Sequence, residues 1–347
     1  MRPGKPTVIA ILEDKPYIGL PGNPTSAINV FNLIVAPLIR KLSGLSYEKS
    51  LPKIVGVSKV KIMGEVGRMV IQPVSFIKVK NQLFIHPILS GSGAITTLGK
   101  ADGFIVIDSK VGFIDENERV EVTLLSEGIK PAGIVFVGTY SSKVDKVIGE
   151  IVLEKGFIVK KLKSNCFGGV RNLINGEADI LGMAVVDPET GEYNQFLVRE
   201  FRLDDVAEII SGYERRIGFV VQKGNPKSIK DLEDLTRGDV YIVNQVKNSE
   251  GRVYLEYLIK KLSEELSRDA DEVKNNINGY DFLVKDYYAA IAAVVNNRAD
   301  LAIAPEELVP KKLADFVPIG VEKYDLAVRR DRLEKDEVKE FIKKVKK

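Results

Sequence analysis

The chain has 347 residues, a length that predicts two or three domains. Its 51 Lys and Arg residues almost balance its 48 Asp and Glu residues, so the net charge of +3 does not indicate a nucleic-acid or membrane partner. A single Cys and a single His exclude an intrachain disulfide and zinc sites that need several Cys or His ligands. Because no apolar run resembles a signal peptide or approaches the roughly 20 residues of a membrane span, we expect a cytoplasmic protein.

The first province of the chain, residues 1–50, predicts two strands and one helix. Val8–Leu12 and residues 17–20 are apolar enough for strands, and apolar residues recur at helical spacing from Pro24 to Leu42. Pro37 predicts a kink or break in this helix. Two strands and one helix cannot enclose a core, so this province needs the rest of the chain, a second chain or residues before Met1 to cover it.

The second province, residues 51–127, changes to the period of strands. Its segments are rich in Val and Ile and are separated by turn residues, a pattern typical of a small antiparallel sheet or barrel. The predicted strands cover residues 54–62, 68–80, 82–89, 103–108 and 119–125. Residues 126–131 follow as a predicted linker.

The third province, residues 133–347, alternates strands with helices, which predicts a mainly parallel α/β sheet. Two such sets indicate two lobes with a ligand cleft between them. The predicted strands are 134–137, 157–162, 179–185, 217–222, 240–244 and 301–304, and the predicted helices are 144–152, 170–175, 229–235, a long one ending near 266, 286–297 and a terminal one within 331–347.

A loop rich in Gly and Pro precedes the first helix, with the sequence Gly-Leu-Pro-Gly-Asn-Pro-Thr-Ser-Ala from Gly19 to Ala27. Glycine allows a close approach of the backbone, and the N–H groups and dipole at a helix start favour an anion. Asn23 or Thr25 acting only as a helix cap is the alternative interpretation. Pro21 and Pro24 stiffen the turn, and Thr25 and Ser26 sit at the start of the helix, where an anion would be held.

These motifs resemble the C-terminal part of the molybdopterin molybdenumtransferase family over about residues 1–126. The resemblance is carried by residues 2–6, the loop at 19–27, Ser90-Gly-Ser-Gly93 and the segment 101–107. It implies that molybdopterin is bound by the loop residues Pro21, Gly22, Asn23, Pro24 and Ser26 together with Ser90, Gly91 and Ser92. It also implies the family's reaction, in which molybdate is inserted into adenylylated molybdopterin with the help of Mg²⁺.

The family's earlier domains would precede Met1, so the resemblance assigns no catalytic residue and implies that this chain alone is inactive. We expect an N-terminal transferase portion or a partner chain to supply them, and we expect a homodimer. A non-catalytic small-molecule or oxyanion sensor, with the first province as a dimerisation surface, is the alternative. A transcriptional sensor is less well supported, because no helix-turn-helix with a basic face precedes the third province.

The third province resembles the periplasmic-binding-protein-like domain, similar to LysR substrate-binding domains, that some prokaryotes and especially archaea fuse to this transferase. The matching segments are 175–180, 187–193, 224–232 and 322–326. The resemblance implies a small ligand between two lobes, with molybdate or tungstate suggested by the cofactor context. Candidate contacts are Thr139, Ser141, Ser142, Ser249, Arg252 and Tyr287.

One residue in this region conflicts with an oxyanion. Glu250 places a carboxylate beside the proposed anion, which it would repel, although an acid also suits a helix N-terminus. In the alternative interpretation Ser141 and Ser249 are helix caps, Arg252 is a surface side chain and Tyr287 belongs to the core.

The sequence thus predicts an α/β protein with a small all-β domain. We expect residues 1–50 to be the C-terminal remnant of a molybdopterin-binding α/β domain and residues 51–127 to be a small β-barrel-like domain. Residues 133–347 would be a periplasmic-binding-protein-like domain, with lobe 1 at about 133–215 and 317–347 and lobe 2 at about 216–316. No metal site is predicted from the residues themselves.

Overall fold

A computed structural model of the chain describes residues 1–47, 51–79, 81–88, 101–162 and 164–346. The chain divides into two compact units, unit 1 (Met1–Pro131) and unit 2 (Ala132–Lys347). In the described ranges, no helix combines the length and the apolar character needed to cross a membrane.

Unit 1 begins with a β-hairpin and an irregular helix. Strand β1 (Val8–Leu12) pairs antiparallel with β2 (Lys15–Gly19), and helix α1 (Pro24–Val30) continues through a π-helical turn at Phe31–Val35 into α2 (Ala36–Leu42). Pro37 lacks the N–H that an α-helix needs at this position. The backbone responds with the wider turn, in which the Ala36 N–H donates to the carbonyl of Phe31. The irregularity expected at Pro37 is therefore a π turn.

The rest of unit 1 is a closed barrel. Among the described residues its strands follow the order β3-β6-β5-β7-β9, and β4 pairs with β8 outside the barrel. Alternate residues such as Val120 and Val122 point into one apolar core, which is why the period of two predicted this architecture. The strands are β3 (Lys53–Ser58), β4 (Ile62–Met63), β5 (Val70–Val79), β6 (Gln82–Pro87), β7 (Gly103–Ile107), β8 (Phe113–Ile114) and β9 (Arg119–Leu124).

Unit 2 is built on one mixed sheet with the order β11-β10-β12-β17-β13-β16-β14-β15 among the described residues. Its strands are β10 (Ile134–Gly138), β11 (Val159–Lys161), β12 (Ile180–Met183), β13 (Ala207–Gln222), β14 (Ile242–Gln245), β15 (Leu283–Val284), β16 (Leu301–Pro305) and β17 (Ala314–Arg329). Its α-helices are α3 (Ser142–Lys155), α4 (Cys166–Ile174), α5 (Gln195–Phe201), α6 (Glu250–Leu266), α7 (Ala270–Asn275), α8 (Tyr287–Val295) and α9 (Asp336–Val345).

Two lobes share this sheet. Lobe 1 contains β10, β11, β12, α3, α4 and α9, and lobe 2 contains β14, β15, β16, α6, α7 and α8, with separate apolar clusters on the two sides. The long strands β13 and β17 pair antiparallel and run from one lobe into the other. We call residues 212–216 and 321–324, where the paired strands pass between the lobes, the crossing.

Several predicted elements of unit 2 differ from the structure. The sheet is mixed rather than mainly parallel, because β17 pairs antiparallel with both β12 and β13. The predicted strand at 217–222 starts at Ala207, and β17 was not predicted. The predicted helix at 229–235 is a short 3₁₀ turn, Leu232–Thr236, which starts only after the Asp231 cap.

Helix α4 begins at Cys166, four residues earlier than predicted. Two adjacent glycines lower the helical signal of its first turn. One of them has a packing reason, because a Cβ on Gly169 would lie 2.6 Å from Leu181 Cδ1 on β12. A side chain at this position would have to displace the end of the Leu181 side chain, so glycine lets the helix lie against the sheet without that shift.

Candidate functional site

Unit 1 contains a cavity of about 1190 Å³ beside the loop that precedes α1. Pro21, Gly22, Asn23 and Ser26 line it, together with Thr25, whereas Pro24 is the first residue of α1 and is not among the lining residues. A Cβ added to Gly22 would meet nothing within 4 Å, so open space faces this position. The structure therefore brings four of the five loop candidates to one cavity.

Basic side chains predominate around this cavity. Arg2, Lys5, Lys61 and Arg68 line it, and Glu65 is an acidic residue among its lining. The Arg2 Nη1 donates to Glu65 at 3.2 Å, and Arg68 pairs with the same carboxylate. This arrangement leaves an excess of positive charge, which suits a phosphate-bearing ligand.

Thr25 contributes an unused polar group at the start of α1. Its side chain is only 3% exposed, and its Oγ1 has no hydrogen-bond partner in the described part of the chain. Buried hydroxyls without partners are uncommon in proteins. The Oγ1 of Thr25 is thus a free donor and acceptor where the sequence predicted an anion contact. The candidates Ser90, Gly91 and Ser92 lie outside the described residues.

Unit 2 contains a smaller cavity of about 240 Å³ between its lobes. The N-terminal ends of α4, α6 and α8 lie at this cavity, because Asn165, Ser249 and Asp286 are both their N-caps and lining residues. The other lining residues are Gly138, Thr139, Tyr140, Ser164, Gln245, Val246, Glu250, Lys285 and Tyr287. Of the predicted contacts, Thr139, Ser249 and Tyr287 are therefore brought together here.

The side chain of Glu250 crosses the cleft. Glu250 is the first residue of α6 in lobe 2, and its Oε1 accepts hydrogen bonds from the Thr139 hydroxyl at 3.0 Å and from the Cys166 backbone N–H at 2.7 Å, both in lobe 1. Burial raises the pKa of Glu250, since only 8% of the residue is exposed. Glu250, which conflicts with an oxyanion in the sequence, thus places its own carboxylate where an anionic ligand was expected.

Three predicted contacts, Ser141, Ser142 and Arg252, do not line this cavity. Ser141 caps α3, accepting from the Val144 N–H at 3.0 Å, and it also bonds Tyr213. Ser142 donates to Glu307 at 2.6 Å. None of these hydroxyls is among the residues that line the described cavity.

Arg252 also points away from the cavity. Its Nε donates to Glu256 one helical turn later at 2.7 Å, and its guanidinium bonds and stacks on Tyr280. The structure therefore does not place the predicted arginine at the anion position. Even Ser249 uses its hydroxyl locally, because its Oγ donates to the Val246 carbonyl at 2.7 Å.

A buried ion pair lies at the crossing. The Arg215 Nε donates to Glu322 at 2.5 Å, its Nη1 donates to the Tyr140 carbonyl at 2.6 Å, and Arg215 also pairs with Glu307. Burial raises the pKa of Glu322 to about 7, although Arg215 acts in the opposite direction. One guanidinium thus serves two carboxylates.

Sequence reasoning missed several polar residues at the cleft and at the crossing of unit 2. Asn165 carries a cap signal before a glycine pair, and Asp286 precedes an apolar helix, so both were visible as N-caps. Arg215 gave no signal, because its partners lie far away in sequence. In the described ranges, no three His, Cys, Asp or Glu side chains form a cluster that could hold a metal ion.

The two units match the models of different protein families. Residues 153–346 match the model of the PBP superfamily domain. The chain belongs to the PBP superfamily. Residues 56–125 match the MoeA C-terminal region, domain IV, so a MoeA-type barrel precedes the PBP domain in the same chain. These matches bear out the resemblances read from the sequence, and the α/β fold with a small barrel agrees with them.

Individual relatives are similar to parts of the chain. The uncharacterized protein YvgK of Bacillus subtilis is 35% identical over 164 residues, which are 46% of this chain and 51% of that protein. The molybdopterin molybdenumtransferase of Haemophilus influenzae is 32% identical over 124 residues, 35% of this chain and 31% of that protein. The chain thus spans about half or less of the length of these relatives.

A solved structure matches as well. The molybdopterin biosynthesis MoeA protein of Pyrococcus horikosii shares 42% identity, with 35% of this chain and 29% of that chain covered and a TM-score of 0.29. The MoeA C-terminal match and the relatives named for molybdopterin link this chain to molybdenum-cofactor biosynthesis.

Proposed function

We propose that the chain supplies the C-terminal part of a molybdopterin molybdenumtransferase, which inserts molybdate into adenylylated molybdopterin. The observation that carries this proposal is the cavity of unit 1, which is rich in lysine and arginine and is lined by Pro21, Gly22 and Asn23. Adenylylated molybdopterin carries a negatively charged pyrophosphate, and lysine and arginine side chains bind such groups by charge-assisted hydrogen bonds. The match of residues 56–125 supports the same conclusion.

In this proposal the residues of the cavity bind and orient rather than react. Lys5 and Lys61 neutralise the phosphate charge, and the unpartnered hydroxyl of Thr25 donates to a phosphate oxygen. Molybdate is the substrate metal. Among the described residues no three His, Cys, Asp or Glu side chains form a cluster for the Mg²⁺ that the resemblance implies, and we assign it no ligand there.

The hairpin and helix of unit 1 expose apolar surface that suits a partner. Among the large apolar side chains, Ile11 is 77% exposed, Val8 64% and Leu42 72%. Large exposed apolar surface often marks protein contacts. We propose that an N-terminal transferase portion or a second copy of the chain covers it, and cytoplasmic location remains part of this proposal.

Titration of adenylylated molybdopterin into the full chain tests the transferase proposal. We expect binding, with the affinity lowered up to about tenfold by Lys5→Ala, because one charge-assisted contact is lost. Lys110→Ala is the control, since Lys110 is exposed in unit 1 and does not line the cavity. We expect insertion of molybdate when an N-terminal transferase portion is added to the full chain. No binding, or equal affinities of the two variants, would argue against the proposal.

We propose in addition that the cleft of unit 2 binds a small polar ligand. Membership of the PBP superfamily and a cavity between two lobes support this second role. Molybdate or tungstate is the ligand that the cofactor context suggests. However, Glu250 and Asp286 bring two carboxylates to the described lining against the single base Lys285, and this balance disfavours a free dianion.

The proposed domain limits follow from these roles. Residues 1–50 and 51–127 would serve the transferase, and residues 133–347 the ligand cleft. Titration of the full chain with molybdate, tungstate and sulfate measures which oxyanion, if any, the wild-type cleft accepts.

A further inference from the structure

The position of Glu250 resembles that of a bound anion. Its carboxylate receives the backbone N–H of Cys166, the first residue of the nine-residue helix α4, at 2.7 Å. It also receives the Thr139 hydroxyl, which follows strand β10, at 3.0 Å. A helix N-terminus and a hydroxyl after a strand are the donors that anion sites in α/β proteins use.

The donors and the acceptor come from opposite lobes. Thr139 and Cys166 belong to lobe 1, and Glu250 is carried by α6 of lobe 2. A ligand that closes a two-lobed protein makes contacts of this kind to both sides. Here the chain makes them with its own side chain, and the contact is almost fully withdrawn from water.

A second feature of the cavity points to a ligand. Tyr287 lines the same cavity and is only 1% exposed, yet its hydroxyl has no hydrogen-bond partner among the described residues. A buried hydroxyl without a partner loses the hydrogen bonds that it would make to water. The cavity therefore keeps an unused hydroxyl, while the Glu250 carboxylate already occupies the donors of Thr139 and Cys166.

We propose that Thr139 and the N-terminus of α4 form an anion subsite for a carboxylate or an oxyanion, and that Glu250 fills this subsite in the same chain. A free anion enters only when the Glu250 side chain is removed or displaced. This inference rests on the proposed ligand-binding role of the cleft. It predicts that wild-type protein is closed by its own carboxylate.

Formate is a suitable probe, because it is a carboxylate small enough for the space left by Glu250→Ala. We expect about 10 mM formate to raise the melting temperature of the full chain carrying Glu250→Ala by about 2–4 °C. The melting temperature of the wild type should not change. Molybdate should likewise bind the variant at least about tenfold more tightly than the wild type. Glu264→Ala, an exposed position on the same helix, is the matched control and should behave as the wild type.

Each outcome of this experiment supports or overturns the inference. Glu250→Gln keeps the shape of the side chain and should fold without responding to formate, which separates occupancy from loss of charge. If the alanine variant does not fold, the wild type remains informative. Saturable binding of formate or molybdate to the wild type that Lys5→Ala in the unit 1 cavity leaves unchanged overturns the inference, while leaving the cleft as a ligand site. An alanine variant that folds and binds neither anion shows that there is no anion subsite. Neither result bears on molybdopterin binding by unit 1.

Discussion

The two cavities of this chain use similar parts and reach opposite states. In unit 1 the loop before α1 faces open space, and basic side chains predominate in the lining of the cavity. The Thr25 hydroxyl there has no partner in the described residues. In unit 2 the start of α4 and the Thr139 hydroxyl are bonded to Glu250. A helix N-terminus is therefore only a potential anion site, and what fills it depends on whether the chain brings its own acid.

The largest expected effect tests whether unit 2 balances its buried charges internally. Arg215→Met leaves Glu322 and Glu307 without their shared cation, and Glu322 is only 1% exposed. We expect the free energy of unfolding to fall by about 3–5 kcal/mol, since an unpaired buried charge remains. Urea denaturation of the full chain, followed by circular dichroism, measures this loss.

Arg216→Met is the matched control on the same strand. Arg216 is 56% exposed in its pair with Glu306, so its loss should cost at most about 1 kcal/mol. Equal losses in the two variants would show that Arg215 is not held in a dry, charge-coupled site. The contrast between the paired buried charges of unit 2 and the excess of positive charge in unit 1 would then lose its main electrostatic support.

The second prediction concerns pH. Burial raises the pKa of Glu322 from 4.5 to about 7, so the folded state keeps a proton that the unfolded chain releases. This contribution is fully present below the unfolded pKa and is lost as the pH rises from about 4.5 to about 7. The total change is about 3 kcal/mol.

Stability curves at pH 5 and pH 8 measure this effect. Wild-type protein should be less stable at pH 8, and Glu322→Gln should flatten the difference, because the glutamine does not titrate. A Glu322→Gln variant with the full wild-type slope would assign the pH dependence to other groups and would remove Glu322 from the comparison.

The third prediction concerns a substitution that weakens the contact between Thr139 and Glu250 and keeps the acid. Thr139→Val takes a donor from the buried Glu250 carboxylate, and we expect a loss of about 2 kcal/mol. Thr236→Val is the control, since its hydroxyl bonds the Glu233 carbonyl at 3.0 Å on the surface and should cost less than about 1 kcal/mol. Thermal unfolding of both variants ranks them. A smaller loss for Thr139→Val would mean that Glu250 is not stabilised by this contact.

Local patterns in the sequence revealed the barrel and most helices. Alternation of apolar residues reports which face of a strand is buried, and Gly156 ends α3 in the left-handed conformation that glycine favours. Strand β17 was missed because Pro318 and Gly320 interrupt its pattern, and the polar residues of the crossing hid the first half of β13. Strands that pass between lobes lack a continuous apolar face.

The chemistry of the cleft was less accessible, for a different physical reason. The sequence showed that Glu250 opposes a free oxyanion, but not that its carboxylate reaches Thr139 and Cys166, which precede it by 111 and 84 positions. Such contacts depend on how two lobes close, and no local period encodes that. Arg252 was assigned to the anion by its place near a helix start, whereas Tyr280 and Glu256 offer it nearer partners.

The smallest expected effect lies in unit 1 and tests its open state directly. Thr25→Val keeps the side-chain shape and removes a hydroxyl that has no partner in the described residues, so stability should change by less than about 0.5 kcal/mol. Thr7→Val is the control: its hydroxyl donates to the Gly4 carbonyl at 2.6 Å, and its loss should cost about 1 kcal/mol. Thr25→Val should nevertheless weaken binding of adenylylated molybdopterin about tenfold, because a ligand contact is lost. Equal destabilisation of both variants would mean that Thr25 is already bonded, and the two cavities would then differ in size and charge but not in occupancy.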